Sequence, residues 1–222
     1  MLLGKLLKSV SKNYRKIPVG GISFDSRKVK KRDIFFAIKG NQTSGIKFIN
    51  DALSKGASAI ISSKKVKYKN RQIPLILVKN VRKSLSEACS NFYKKKPPNI
   101  VAVTGTNGKS SVADFFYQIL SLNKISVASI GTLGIFSKNY SKKTNLTSMD
   151  PLSLHKNLQI LAKNKVNHVI LEASSHGLKQ KRLDNLNIKT GIFTNLSHDH
   201  LDYHKNMQSY LNAKLYLFRR LL

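Results

Sequence analysis

Thr104-Gly105-Thr106-Asn107-Gly108-Lys109-Ser110-Ser111 is the stretch on which the reading of this chain turns. The apolar run Ile100-Val101-Ala102-Val103 precedes it, and a helix-like segment from Val112 to Leu122 follows. A strand, a glycine-bearing turn and a helix start, in that order, form an anion cradle. The glycines let main-chain N–H groups converge, and the helix dipole adds positive potential. Lys109 is placed to reach the outer phosphates of a nucleotide, and the Ser110 hydroxyl to ligate Mg²⁺. Gly105, Thr106, Asn107, Gly108, Lys109, Ser110 and Ser111 are therefore the candidate ATP contacts. The loop is a variant, TGTNGKS: Val103 stands five residues before Gly108, where the general pattern GxxxxGK[ST] has glycine.

Composition narrows the class around this loop. The chain has 222 residues and is 41% hydrophobic, enough for one large core or two small ones. One cysteine, Cys89, provides no disulfide framework and fits a reducing, cytoplasmic setting. No apolar run approaches the ~20 residues that span a bilayer, so no membrane partner is expected. Met1 to Lys8 reads as a short amphipathic helix with leucines at helical spacing. The net charge of +30 raises nucleic acid as a partner. The basic residues are mostly lysines scattered through every segment, without an arginine-rich or aromatic-studded stripe. The reading is a solvated basic surface that attracts anionic substrates, with no nucleic-acid partner.

Two units are expected. In residues 1–96, Gly21–Phe24, Asp33–Ile38, Ala57–Ser62 and Pro74–Val78 read as short strands. Lys47–Lys55 reads as a helix with Phe48, Ile49, Ala52 and Leu53 on its apolar face, stopped by Gly56. Val81–Tyr93 reads as a second helix. Lys94-Lys95-Lys96-Pro97-Pro98 marks the boundary, because a charge run and two prolines end a helix. In residues 97–222 the strand at Asn99 leads into the loop. Strands at Ser126–Ile130, Val166–Glu172 and Thr190–Asn195 alternate with helices at Pro151–Lys163 and Met207–Leu222. That alternation predicts an α/β fold with a mostly parallel sheet in three layers. Ligands of such sheets gather at the carboxyl ends of strands, where the loop, Glu172 and Asn195–His200 all fall. The strands after the loop are too few for a comfortable sheet, so the chain is expected to be a piece of a longer protein.

Two further clusters carry chemistry. Val169-Ile170-Leu171-Glu172-Ala173-Ser174-Ser175-His176-Gly177-Leu178 delivers Glu172 to a strand end beside hydroxyls, which suits Mg²⁺. Thr194 to His204 holds three histidines and two aspartates. It lacks a helical HExxH, and a zinc hydrolase has no need of a phosphate loop. One histidine beside Mg²⁺ is the preferred reading, and His204 is expected on the surface.

TGTNGKSS, LEASSHGL and TNLSHDHLDYHKNMQSYLNAK resemble the three signatures of the central ATPase domain of the Mur ligases, which build the peptide of bacterial peptidoglycan. Asp25-Ser26-Arg27, Asp33–Gly40 and Asn41–Ile49 resemble the uridine-binding domain of the family member that adds the third residue. The resemblance implies a small N-terminal α/β UDP-binding domain followed by an incomplete P-loop ATPase domain, with no C-terminal ligase domain. It implies ATP and Mg²⁺ as cofactors, and UDP-N-acetylmuramoyl-dipeptide and an amino acid (diaminopimelate or lysine) as partners of a monomer. It assigns Ser26, Asn41, Gln42 and Thr43 to the uridine end. Thr147, Ser148, Ser174, Gln180 and Arg182 fall to the muramoyl peptide, and Ser110, Glu172 and His200 to Mg²⁺. Lys214 matches the lysine that the family carbamoylates into a metal ligand. Lys109, Lys214 and His200 are the implied catalytic residues. The implied reaction phosphorylates a carboxylate and lets an amine attack the acyl phosphate. Sister ligases and folylpolyglutamate synthetase share this loop, but the DSR segment and HDHLDYH favour the third-residue enzyme.

Overall fold

The structure is a computed structural model describing residues 1–40, 43–68, 72–144 and 146–222. The chain divides into two compact units, Met1–Phe92 and Tyr93–Leu222.

The first unit is a four-stranded parallel sheet, β1 (Gly21–Ser23), β2 (Asp33–Phe36), β3 (Ala59–Ser62) and β4 (Leu75–Leu77), in sequence order. Every residue of β2 and β3 is buried, which is why their apolar residues, Ile34-Phe35-Phe36 and Ala59-Ile60-Ile61, run consecutively rather than alternate. Helices α1 (Leu3–Leu6), α2 (Ile49–Ser54) and α3 (Val81–Phe92) accompany the sheet. The leucines of the opening segment are core residues: Leu3, Leu6 and Leu7 are fully buried. The helix expected over Lys47–Lys55 starts as a 3₁₀ turn, Gly45–Phe48, because the Ser44 hydroxyl accepts from the Ile46 amide and tightens the entry. Phe48 consequently misses the apolar face proposed for it and stands exposed.

The second unit is a five-stranded sheet in the order β7-β6-β8-β5-β9. Its strands are β5 (Asn99–Thr104), β6 (Val127–Gly131), β7 (Gly134–Ser137), β8 (His168–Glu172) and β9 (Ile188–Phe193). All pairings are parallel except β6 with β7. The sequence reading did not include β7, which pairs with β6 as the second arm of a tight hairpin. Successive side chains alternate between two cores. Ile100, Ala102, Val169 and Leu171 face one side, packed with Leu154, Leu158 and Leu161 of α5 (Pro151–Lys163). Val103 and Ile170 face the other, against Ala113 of α4 (Lys109–Leu122). The result is three layers with parallel strands buried on both faces. Asp150 caps α5 by accepting from the Ser153 amide, and Pro151 opens it. Three short elements follow β8 and β9: α6 (Ser175–Lys179), α7 (Leu201–His204) and α8 (Met207–Tyr216). The single helix expected from Met207 to Leu222 is α8 followed by a π-helical turn, Leu217–Leu221. Among the described residues no helix is long and apolar enough to cross a membrane.

Candidate nucleotide and substrate site

The carboxyl ends of β5, β8 and β9 lie side by side, and the loops leaving them build the site. The loop after β5 needs glycine twice. Gly108 precedes α4 with φ +81, and Gly105 has φ +150. A Cβ on Gly105 would stand 1.8 Å from Thr194 Oγ1. That closeness has a purpose, because the segment leaving β9 moulds the loop. Thr194 Oγ1 donates to the Asn107 carbonyl (2.6 Å), and the Asn107 amide donates to Asn195 Oδ1 (3.0 Å). The Thr106 amide donates to the Asn195 carbonyl (3.0 Å). Thr106 Oγ1 accepts from the Ser197 amide (3.0 Å) and lies 3.1 Å from the Tyr210 hydroxyl. Thr106 and Asn107 thus spend their amides on the β9 exit, while the first amides of α4 have no partner within the helix and point out of its N-terminus.

Positive charge collects at the same place. Lys109 Nζ donates to the carbonyls of Gly105 (2.9 Å) and Thr106 (2.7 Å). Lys214 Nζ, from α8, donates to the same Gly105 carbonyl and sits 4.3 Å from the centre of the Tyr210 ring. Lys214 is 1% exposed. Burial, and then the Lys109 charge, push its pKa down to about 8. Burial also lowers the Lys109 pKa, against the opposing pull of Glu172 and Asp199. Two ammonium groups on one carbonyl oxygen, beside a helix N-terminus, give this place a positive potential that favours an anion.

Glu172, at the end of β8, is buried and fully engaged. Its Oε2 accepts from Ser110 Oγ (3.0 Å) and Thr132 Oγ1 (3.0 Å), and its Oε1 from the Thr132 amide (2.9 Å). A Cβ on Gly131 would fall 2.0 Å from Glu172 Oε1, so the β6–β7 turn approaches only because that residue is glycine. Thr132 escaped the sequence reading, because an isolated threonine in a hairpin carries no pattern. Thr132 Oγ1 also lies 3.0 Å from Thr147 Oγ1. One carboxylate and several hydroxyl oxygens at the mouth of the loop suit Mg²⁺, which takes few protein ligands and fills its shell with phosphate and water. His200 stands apart from this pair: half-exposed, with φ +53, its ring Nε2 is 3.4 Å from Asp199 Oδ2. Among the described residues no group of three His, Cys, Asp or Glu side chains is arranged to hold a metal ion.

Beside Glu172 lies a polar row. Ser148 Oγ donates to the Glu172 carbonyl and accepts from the Ser174 amide (both 2.9 Å), and Ser174 Oγ caps α6 through the Gly177 amide (3.1 Å). Arg182 donates to the Ser148 carbonyl (2.6 Å) and forks two N–H groups onto Gln180 Oε1 (3.2 and 2.8 Å). Gln180 donates in turn to the Tyr203 hydroxyl (3.2 Å). The expectation for His204 is corrected: it is 1% exposed, with Nε2 3.0 Å from Ser175 Oγ. The single turn of α7 folds it inward between the rings of His176 and Tyr210. Burial and neighbouring charge bring its pKa down to about 4, so it packs as a neutral ring.

In the first unit, Ser26 is buried and opens a 3₁₀ turn capped by Asp25, whose carboxylate accepts from the Arg27 amide and guanidinium. Ser26 also hydrogen-bonds the Asp51 carboxylate and holds it below its ordinary pKa. Thr43 is exposed, its carbonyl accepting from the Gly40 amide. Asn41 and Gln42, proposed beside it, lie outside the described residues.

The Mur ligase middle domain matches residues 103–222, and the Mur ligase family catalytic domain matches residues 18–93. The UDP-N-acetylmuramoyl-L-alanyl-D-glutamate–2,6-diaminopimelate ligase of Rhizobium meliloti (strain 1021) is 44% identical over 206 residues, 93% of this chain. The ligase of the same name from Rickettsia conorii (strain Malish 7) is 48% identical over 205 residues, 90% of this chain. The chain spans 42% of the length of each. A solved structure of a ligase with that name superposes with a TM-score of 0.85 at 32% identity, over 99% of this chain and 45% of that one. The MurF ligase of Thermotoga maritima, solved with ADP, shares the fold at a TM-score of 0.55 and 24% identity, over 88% of this chain and 42% of that one. With one family model covering more than half of its residues, this chain belongs to the Mur ligase family.

Proposed function

We propose that this chain is the UDP- and ATP-binding portion of the ligase that adds the third amino acid to UDP-N-acetylmuramoyl-L-alanyl-D-glutamate, a diamino acid given as 2,6-diaminopimelate in the relatives' names. The single observation that carries this reading is the junction of Ser110 with Glu172, 3.0 Å apart, at the mouth of a loop crowned by Lys109 and Lys214. It joins a polyphosphate cradle to a hard-oxygen donor set. The polar row Ser148–Ser174–Arg182 adjoins that junction through the Glu172 carbonyl, which suits a carboxylate substrate held next to the γ-phosphate.

The chemistry assigned to these residues proceeds in two displacements. A substrate carboxylate oxygen attacks the γ-phosphorus, the bond to the β-phosphate oxygen breaks, and ADP leaves. The incoming amine attacks the carbonyl carbon of the acyl phosphate. Inorganic phosphate departs, and the ammonium formed gives up a proton. Lys109 leaves its loop carbonyls to follow the charge on the transferred group, and the α4 amides hold the β-phosphate. Ser110 and Glu172 would hold Mg²⁺, with His200, which stands apart from them, as the third proposed contact, and the ion would supply Lewis-acid stabilisation of the phosphate oxygens. Lys214, with its pKa near 8, presents a neutral amine to CO₂ more readily than an ordinary lysine. The resulting carbamate would replace a buried positive charge with a negative, carboxylate-like group able to donate to the metal. In the first unit, Ser26 meets the uridine diphosphate.

Calorimetry with UDP-N-acetylmuramoyl-dipeptide tests the reading. Heat of binding in the native chain, lost in Ser26→Ala and Arg182→Ala, supports it. A folded sample that releases no heat with this ligand overturns it.

A further inference from the structure

We propose that His176 is a positioning residue whose ring props His200 toward the phosphate loop by packing alone. His176 lies on α6, directly after the strand that carries Glu172. Its ring stacks on Tyr203, with centroids 4.0 Å apart and planes at 28°. It meets the His200 ring edge-on at 4.9 Å and the His204 ring at 5.5 Å. No hydrogen bond to its ring nitrogens is formed among the described residues. Two other members of the cluster are pinned by hydrogen bonds, Tyr203 to Gln180 and His204 to Ser175. Tyr210 lies 3.1 Å from Thr106 of the loop. His176 is therefore the wedge between His200 and a frame, Tyr203, His204 and Tyr210, that is already fixed to the substrate row, to α6 and to the loop.

His200 needs such a wedge. Its backbone sits at φ +53, a conformation that a residue with a Cβ adopts reluctantly. Its side chain is half-exposed, and its partner Asp199 is adjacent in sequence and equally exposed, so this pair has little holding power. The packed ring contacts that restrain it are His176 at 4.9 Å and, more distantly, Tyr210 at 6.2 Å. Without the His176 ring, the His200 side chain would share its time among solvent-facing rotamers and reach the metal position less often. Because the wedge acts by shape, phenylalanine should replace it and a side chain without a ring should not.

The inference rests on the proposed placement of His200 beside Mg²⁺. It is tested by calorimetric affinity for a non-hydrolysable ATP analogue with and without MgCl₂, in the native chain and in His176→Ala, His176→Gln and His176→Phe. The expected result is that Mg²⁺ tightens binding in the native chain and in His176→Phe. In His176→Ala and His176→Gln the Mg²⁺-dependent gain should shrink by up to about tenfold, as loss of an aromatic pair contact implies, while metal-free affinity is unchanged. His176→Gln carries the comparison should the alanine variant not fold. An undiminished Mg²⁺ effect in the ring-free variants overturns the positioning role and leaves the proposed function standing. An equal loss with and without Mg²⁺ shows general destabilisation and also overturns the role. A native chain whose nucleotide affinity ignores Mg²⁺ overturns both.

Discussion

Replacing Gly105 with alanine probes the loop most sharply. The new Cβ would stand 1.8 Å from Thr194 Oγ1 and 3.1 Å from the Asn195 amide nitrogen. Its residue would have to hold φ +150, a strained conformation that costs of order 1–3 kcal/mol for a non-glycine residue. Thr194 must also turn away, giving up its 2.6 Å bond to the Asn107 carbonyl, which is worth about 1 kcal/mol. The sum is a destabilisation of roughly 2–4 kcal/mol, confined to the second unit. Thr194→Ala alone should cost about 1 kcal/mol. In the double variant the clash disappears and the φ strain remains, so the two effects should fall short of additivity by about 1 kcal/mol. Urea unfolding followed by far-UV circular dichroism gives the totals, and hydrogen exchange at the β5 amides assigns them to this unit. Nucleotide affinity should fall about tenfold or more, since a displaced loop amide or lysine is worth a charge-assisted hydrogen bond. A Gly105→Ala chain within about 0.5 kcal/mol of the native one, or strict additivity with Thr194→Ala, would refute the argument that Thr194 moulds the loop.

Three further outcomes follow from the same geometry. Glu172→Gln keeps an acceptor for Thr132 but loses the charge, so calorimetry with an ATP analogue should show the Mg²⁺-dependent gain abolished and metal-free binding retained. Lys214 has a folded-state pKa of about 8 against an ordinary 10.5, so the unfolded chain binds more protons between those values. Native stability should therefore rise with pH from about 8 to about 10, and Lys214→Met, measured by urea midpoints, should be more stable at pH 7 and lack that rise. His204, at about 4 against 6.5, makes its neutral packing fully available above pH 6.5 and loses it as pH falls toward 4. The acid limb of the stability curve should flatten in His204→Leu.

How much of this was legible depends on whether a residue's partner lies nearby in sequence. The start of α5 is written locally, in the Asp150 cap and the proline at its first turn, and its body in the apolar spacing that follows. The β5–loop–α4 unit is equally local, as are the buried runs of β2, β3 and β8. Hairpin strand β7 and the single turns α6 and α7 are too short for periodicity to register. The roles of Thr132 and His204 depend on neighbours about 40 and 30 residues away, which no local pattern encodes. Phe48 was misplaced because a serine cap converted the first turn of its helix to 3₁₀. Lys214 carries no signal of its own in so lysine-rich a chain. The family resemblance singled it out, and the structure adds its burial and its bond to the Gly105 carbonyl.

Diffraction from crystals soaked with Mg²⁺ and a non-hydrolysable ATP analogue is the most direct test. The account predicts phosphate density against the amides at the start of α4, Lys109 swung from the Gly105 carbonyl onto that density, and a metal in contact with Ser110 and Glu172. Clear nucleotide density elsewhere, with Lys109 still on its carbonyls, would contradict it.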